Sequence, residues 1–278
     1  MNNKCKICGS QKISKVNIGK TELLRCDDCD IHYLANFPPS AIIDEYYKKD
    51  YIITSADMKE TELRRLFRAG EQIELVSELM KYIEPPATLL DIGCDKGFFI
   101  DQARRFGYDC TGVELSEKAL DYTDKTGLTV VRDMDLINTK FESAVMWHSL
   151  EHFPEPVGFL KQLKEHLSDD AYLFIRVPAF DSWSRKFFGK NWIWLQPENH
   201  LFHYSEQSLS KLLALAGYEV INIKHRKPNN RFSKRMYRTS TGLFKSIFDY
   251  KFNLRKFLIR IYEDITGIEL YVVAKIKR

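Results

Sequence analysis

Four cysteines, Cys5, Cys8, Cys26 and Cys29, form two Cys-x2-Cys pairs separated by a 17-residue spacer. Each pair puts two sulfurs on one tight turn. Two such turns close a tetrahedral thiolate shell that leaves no position for water, the signature of a structural zinc ion (Zn2+). A different chemistry is written further on. Leu89-Leu90-Asp91-Ile92-Gly93-Cys94-Asp95-Lys96-Gly97 reads as a buried strand, a glycine turn and a helix start. Backbone can approach a ligand closely there, because no Cβ intervenes. Thr111-Gly112-Val113-Glu114-Leu115 reads as the next strand, with Glu114 placed to accept hydrogen bonds from a ribose diol. Asp91 and Asp95 flank the turn and would repel a pyrophosphate. The pocket therefore suits a cationic or zwitterionic nucleoside better than a dinucleotide.

At these residues the chain resembles the class I S-adenosylmethionine (SAM) methyltransferases, whose first motif is an acidic residue followed by a glycine-rich turn. Asp95 stands where that family most often has glycine, and Asp tolerates left-handed backbone better than most residues. The resemblance continues through Phe141 to Trp147, an apolar strand that runs by way of His148 and Ser149 into the triplet Leu150-Glu151-His152. Ala171 to Pro178 resembles the fifth strand. His200-Leu201-Phe202-His203-Tyr204-Ser205, a helix from Ser208 to Ala216 and the stop at Gly217 are similar to a run found in a large bacterial branch of the family. The match covers about residues 60–226 and the last ten.

The resemblance implies an α/β, Rossmann-like class I methyltransferase fold with a seven-stranded, mostly parallel sheet, and SAM as cofactor. Asp91, Gly93, Cys94 and Gly97 are then the cofactor turn, and Glu114 with Leu115 the ribose edge. Asp133 meets the adenine amine, with Met134 flanking the ring. Trp147 and His148 lie beneath the methionine part. Histidine is the natural base for a hydroxyl acceptor. His200 is the first choice, with Glu198 as orienter or cooperating acid, and His152 sits at the mouth of the sheet. His200 has a bland alternative role, capping the following helix or fixing its loop. Trp183, Phe187, Phe188, Trp192 and Trp194 crowd the same loop as a candidate apolar or sugar-stacking wall.

The elements that must position these groups follow from the rest of the chain. Its 278 residues, 44% hydrophobic and 29% charged, are those of a globular protein with a full core. A net charge of +4 does not favour nucleic acid as partner. No leader and no membrane-length apolar run is visible, so the expected place is the cytoplasm, with thiols reduced. Cys94 and Cys110 are then core residues. The expected organisation is a zinc ribbon over 1–36, with a hairpin around Gly19, then a linker and helical segment over 37–88. The SAM-binding domain follows over 89–226 plus 268–278. A basic insertion, 227–267, carries ten Lys or Arg against three acids. Its stretch 243–262 is amphipathic, and either caps the sheet or touches an anionic membrane peripherally.

The acceptor can be narrowed. An Asn/Asp-Pro-Pro-Tyr turn, which clamps amides and exocyclic amines in N-methyltransferases, is replaced here by Trp147-His148-Ser149-Leu150, and no thiolate stands near that strand for pyrimidine C5 chemistry. An alcohol, phenol or enolisable carbon fits better. The expected function is methyl transfer to a sugar, glycan or related small-molecule metabolite. A zinc-ribbon RNA methyltransferase and a catalytically inactive SAM-binding scaffold are the alternatives.

Overall fold

The structure, a computed structural model, describes residues 4–45, 62–226 and 268–277. The tyrosine-rich stretch around Tyr46, Tyr47 and Tyr51 and the basic insertion, with its amphipathic segment 243–262, lie outside the described residues.

The elements alternate as the apolar pattern requires. β1 (Ile13–Ile18), β2 (Thr21–Cys26) and β3 (His32–Leu34) come first, then α1 (Ser40–Glu45) and α2 (Glu62–Leu79). The α/β alternation follows as β4 (Thr88–Ile92), α3 (Phe98–Arg105), β5 (Asp109–Val113), α4 (Glu117–Thr126), β6 (Val130–Val131), β7 (Phe141–Trp147), α5 (Pro156–Leu163) and β8 (Leu167–Pro178). The chain closes with α6 (Trp183–Phe188), β9 (Phe202–His203), α7 (Glu206–Leu215), β10 (Tyr218–Arg226) and β11 (Glu269–Ile276).

Seven strands form the main sheet in the order β10-β11-β8-β7-β4-β5-β6. β11 runs antiparallel to both of its neighbours, and the other strands run parallel to one another. Central parallel strands are covered on both faces, so their side chains are apolar without a break. Leu90, Ile92, Ala144, Met146, Leu173 and Ile175 enter one core, while Leu89, Val145 and Phe174 enter the other. That is the period-2 alternation of a strand. The second core is closed by Leu75, Val76 and Leu79 of α2 and by Phe99, Ile100 and Ala103 of α3.

The first core is shared. Leu160 and Leu163 of α5 and Leu209 and Leu212 of α7 pack in it together with Cys5, Ile7, Leu23, Cys26 and Ile31 from the N-terminal hairpin region. The hairpin turns at Gly19, whose φ is +63°. Its sheet is completed from far along the chain: the order is β1-β2-β3-β9, with His32 opposite His203 and Tyr33 opposite Phe202. The chain leaving β9 also meets the chain leaving β8, since Ala179 bridges Tyr204 and the Phe180 amide donates to the Tyr204 carbonyl at 2.8 Å. The two sheets are therefore stitched through one short strand. Immediately after it, Ser205 caps α7 in a reciprocal box with Ser208, at 2.8 and 3.2 Å, which satisfies two helix-end donors.

Candidate functional site

The glycine turn folds as its residues dictate. Gly93 has φ +74° and Gly97 φ +71°, and Asp95 takes φ +49° between them. A Cβ on Gly93 would stand 2.8 Å from the Ser149 Cβ, and one on Gly97 2.4 Å from Leu128. Gly93 thus lets the turn lie against the segment after β7, and Gly97 lets α3 start against the end of α4 and the turn that follows it. Glu114 locks the turn. One carboxylate oxygen accepts the Asp95 amide at 2.9 Å and the other accepts the Ser116 amide at 2.8 Å.

A cavity of about 300 Å³ opens above these strand ends, at the small end of the range for ligand sites. Gly93, Asp95, Glu114, Leu115, Asp133 and Met134 line it, and so do His148, Ser149 and His152 at the end of β7. Asp133 also accepts the Asp135 amide at 3.1 Å. The lining carries three carboxylates against two cationic groups, the Arg132 guanidinium and the His148 ring. That balance and the open face of Gly93 fit a sulfonium-bearing nucleoside.

Other residues singled out from the sequence stand behind this surface. Asp91 is 2% exposed, and burial, with Glu114 and Asp95 adding to it, pushes its carboxyl up to about 8. Cys94 is buried against Gly112 and Ile100, and burial holds its thiol well above the usual range. Trp147 packs edge-on to Phe99 and stacks on Tyr271. Gly97, His200 and Glu198 do not line the cavity. Glu198 is exposed.

The floor beyond the turn is a charged cluster. His148 has φ +53°, rare for a residue with a side chain. Its Nε2 lies 2.9 Å from Glu269 Oε1, its Nδ1 lies 3.5 Å from Glu151 Oε1, and its ring stacks on Trp194 at 5.0 Å. Burial alone would strip the ring of its proton. The Glu269 and Glu151 carboxylates outweigh burial and raise it to about 9. Glu269 is anchored in turn by Arg176, through Nε at 2.8 Å and through Nη2. Glu269 was not singled out from the sequence. Its signal was a lone acid at the entry of the apolar run Leu270 to Ala274.

The Leu-Glu-His turn and the loop before β9 are tied together. Leu201 donates to the Glu151 carbonyl at 3.0 Å, and His152 Nδ1 meets the Asn199 carbonyl at 2.8 Å. His200 is 4% exposed, with Nδ1 2.9 Å from the Trp194 carbonyl, and burial pushes it down to about 4. Its ring lies 5.0 Å from that of His152. Of the aromatic wall, Trp192 is 2% exposed and Trp194 flanks His148, but Trp183 and Phe187 are 50% and 78% exposed and face solvent.

In the N-terminal hairpin region the four cysteine sulfurs lie within 4.8 Å of one another. Cys5 and Cys29 are 3.7 Å apart and Cys8 and Cys26 3.6 Å. Zinc–sulfur bonds of about 2.3 Å in a tetrahedron need sulfurs about 3.8 Å apart. All four are free thiols, and the Ile7 amide points at the Cys5 sulfur from 3.4 Å. The donor set fits a structural zinc.

The sheet order, the glycine turn and the acid at the tip of β5 define the class: this is a class I SAM-dependent methyltransferase fold. The chain belongs to the methyltransferase-domain family, whose model matches residues 63–223. A curated relative, a ubiquinone biosynthesis O-methyltransferase of Actinobacillus pleuropneumoniae, is 27% identical over 101 residues. That stretch is 31% of this chain, and it spans 43% of the relative's length. Among solved structures, a magnesium protoporphyrin IX methyltransferase from Synechocystis PCC 6803 with bound S-adenosylhomocysteine superposes with a TM-score of 0.54 at 14% identity, over 86% of this chain and all of that one. A 1,6-didemethyltoxoflavin-N1-methyltransferase from Burkholderia thailandensis, bound to its namesake compound and S-adenosylhomocysteine, gives 0.54 at 14%, over 95% of this chain and all of that one. At such identities these two likenesses speak for the fold. Among the described residues no helix is long and apolar enough to cross a membrane.

Proposed function

We propose that this protein transfers the methyl group of SAM to a hydroxyl, or an enolisable carbon, of a small-molecule acceptor, with a sugar or glycan hydroxyl as first candidate. The observation that carries the reading is the continuity of one cavity from the nucleoside edge, Glu114 and Asp133, to His148, Ser149 and His152. The curated relative is by name an O-methyltransferase, which favours oxygen.

In this reading SAM supplies an activated methyl on its sulfonium. Gly93 gives close backbone, and Glu114 takes the ribose hydroxyls, with Leu115 beside it. Asp133 and Met134 hold the adenine. Asp91 offsets the ligand's positive charge from behind the turn, and Cys94, Gly97 and Trp147 keep the turn in shape. Phe153 and Phe159, also in the lining, exclude water and offer an apolar face to a ring. Holding methyl and acceptor in line accounts for much of the acceleration such transfers need. His152 is the histidine placed to take a proton from the acceptor, and His200 orients it from behind. The ribbon, 1–36, serves as a zinc-braced support for the loop that carries both β9 and His200.

The test is turnover. Purified protein and SAM are incubated with nucleotide sugars, glycosides and phenols, and S-adenosylhomocysteine release and the position of the new methyl are measured. Methylation at oxygen of one of these classes is expected. Methylation of RNA with none of any small molecule would overturn the reading.

A further inference from the structure

The methyl-transfer reading leaves one arrangement unused. Glu151 is 1% exposed, and neither of its carboxylate oxygens accepts a hydrogen bond. Such a group is costly to bury, and an ion-pair approach of 3.5 Å from the His148 Nδ1 is its contact on the cavity side. Two imidazoles stand beside it. His152 and His200 both direct Nδ1 at a backbone carbonyl, of Asn199 at 2.8 Å and of Trp194 at 2.9 Å. A carbonyl oxygen only accepts, so Nδ1 carries the hydrogen in each ring and Nε2 carries the lone pair. This is the orientation that second-shell carbonyls impose on metal-binding histidines. One carboxylate oxygen and one nitrogen from each ring lie within 4.8 Å of one another. Bonds of about 2.1 Å to a common ion bring such atoms to roughly 3–3.5 Å apart, which needs side-chain shifts that close the gaps by up to roughly 1.3–1.8 Å.

We infer that Glu151, His152 and His200 form a binding site for one divalent first-row transition cation, with open coordination positions toward the cavity. One carboxylate and two imidazoles that leave positions open suit ions such as Mn2+, Fe2+ or Co2+, whereas the soft tetrathiolate selects zinc. His152 lines the cavity and His200 does not, so the ion sits at the cavity's inner wall. There it offers its open positions to acceptor oxygens and lowers the pKa of a bound hydroxyl. That use of the ion rests on the proposed methyl transfer; the binding does not. His152 and His200 are then both ligands, and the ion takes over the activation of the acceptor from the His152 ring.

Titration of the full-length, zinc-loaded protein, dialysed free of weakly held metal without chelator, with Mn2+, followed by electron paramagnetic resonance, tests the site. Calorimetry with S-adenosylhomocysteine and a thermal melt are run on the same samples. One Mn2+ per chain is expected. Glu151→Gln removes the charge. His200→Asn keeps a donor for the Trp194 carbonyl but loses the Nε2 lone pair. Each should weaken Mn2+ binding at least tenfold while S-adenosylhomocysteine binding persists. Glu165→Gln, at an exposed acid, should change nothing. No stoichiometric Mn2+ in the native protein, or unchanged binding in a folded Glu151→Gln or His200→Asn protein, would overturn the site. If Mn2+ binds as expected and S-adenosylhomocysteine does not, the methyltransferase reading falls and the cation site stands.

Discussion

The cysteine cluster and the carboxylate–histidine cluster are both buried knots of polar side chains, yet they are assembled in opposite ways. The cysteines come from two turns within 25 residues of chain, and all four sulfurs point at one another. The second cluster draws Glu151 and His148 from the end of β7, His200 from the loop before β9, and Glu269 from β11, which is 121 residues from His148. The first is closed, and a single ion would satisfy it. The second is layered, with Arg176 and Glu269 at its base and His148 above them. Its upper face reaches the cavity through His148 and His152. A closed knot stabilises what surrounds it. An open one stores charge where a ligand can meet it.

Removing zinc should give the largest effect. Tetrathiolate binding contributes on the order of 10 kcal/mol to the folding of a small metal module. Cys26→Ser is therefore expected to lose the ion, by metal analysis of the purified protein, and to lower the melting temperature of the whole chain, because Cys26 belongs to the core that also holds α5 and α7. A Cys26→Ser protein that kept tightly held, stoichiometric zinc would break the comparison at its first side.

Next in size is the base of the second cluster. Glu269→Gln leaves Arg176 and His148 facing an uncharged partner at a site 2% exposed. Breaking a buried charged set in this way costs about 3–5 kcal/mol, readable by chemical denaturation. Glu22→Gln in the exposed Lys15–Glu22 pair should cost less than about 1 kcal/mol. Equal effects would mean that burial is not what sets the two apart.

Glu114→Ala should weaken SAM binding at least tenfold by calorimetry, since hydrogen bonds to a charged group are worth about 1.5–3 kcal/mol. Unchanged affinity would remove the nucleoside edge from the cavity.

The smallest effect is a pH dependence. With its pKa raised to about 8, Asp91 holds a proton in the free protein at neutral pH. The unfolded chain releases that proton near pH 4. A raised acid therefore costs the folded state stability as pH climbs from about 4 to about 8, and the cost is constant above that. A cationic ligand favours the carboxylate and displaces the proton. SAM affinity should then rise with pH up to about 8 and level off beyond it, and Asp91→Asn should flatten this part of the profile. Calorimetry in buffers of different ionisation heat reads the released proton directly, and its absence would count against Asp91 as the group responsible.

What the chain disclosed in advance follows the same division. Cys5, Cys8, Cys26 and Cys29 were readable because their partners are neighbours in sequence. The turn from Asp91 to Gly97 and the acid Glu114 were readable because β4 and β5 are successive strands, and their placement needs only the parallel pairing of Ile92 with Val113. Contacts across long separations were not. Nothing local ties Glu269 to His148, or His32 to His203. The aromatic run divides for a local reason: Trp183 and Phe187 are four apart on α6 and share its solvent face, whereas Trp192 and Trp194 follow the helix and turn inward, and none of the five lines the cavity.

The pairing of β3 with β9 has a consequence for anyone who cuts this protein into pieces. A chain begun at residue 37 would leave Phe202 and His203 without the strand that occupies their outer edge. Unsatisfied backbone at a sheet margin invites the next molecule to supply the missing strand. The fragment would then come off a sizing column as a ladder of self-associated species, with its histidine loop pulled toward a neighbour. By that measure the first 36 residues are a lid nailed to the box, and the box does not keep its shape when the lid is pried off.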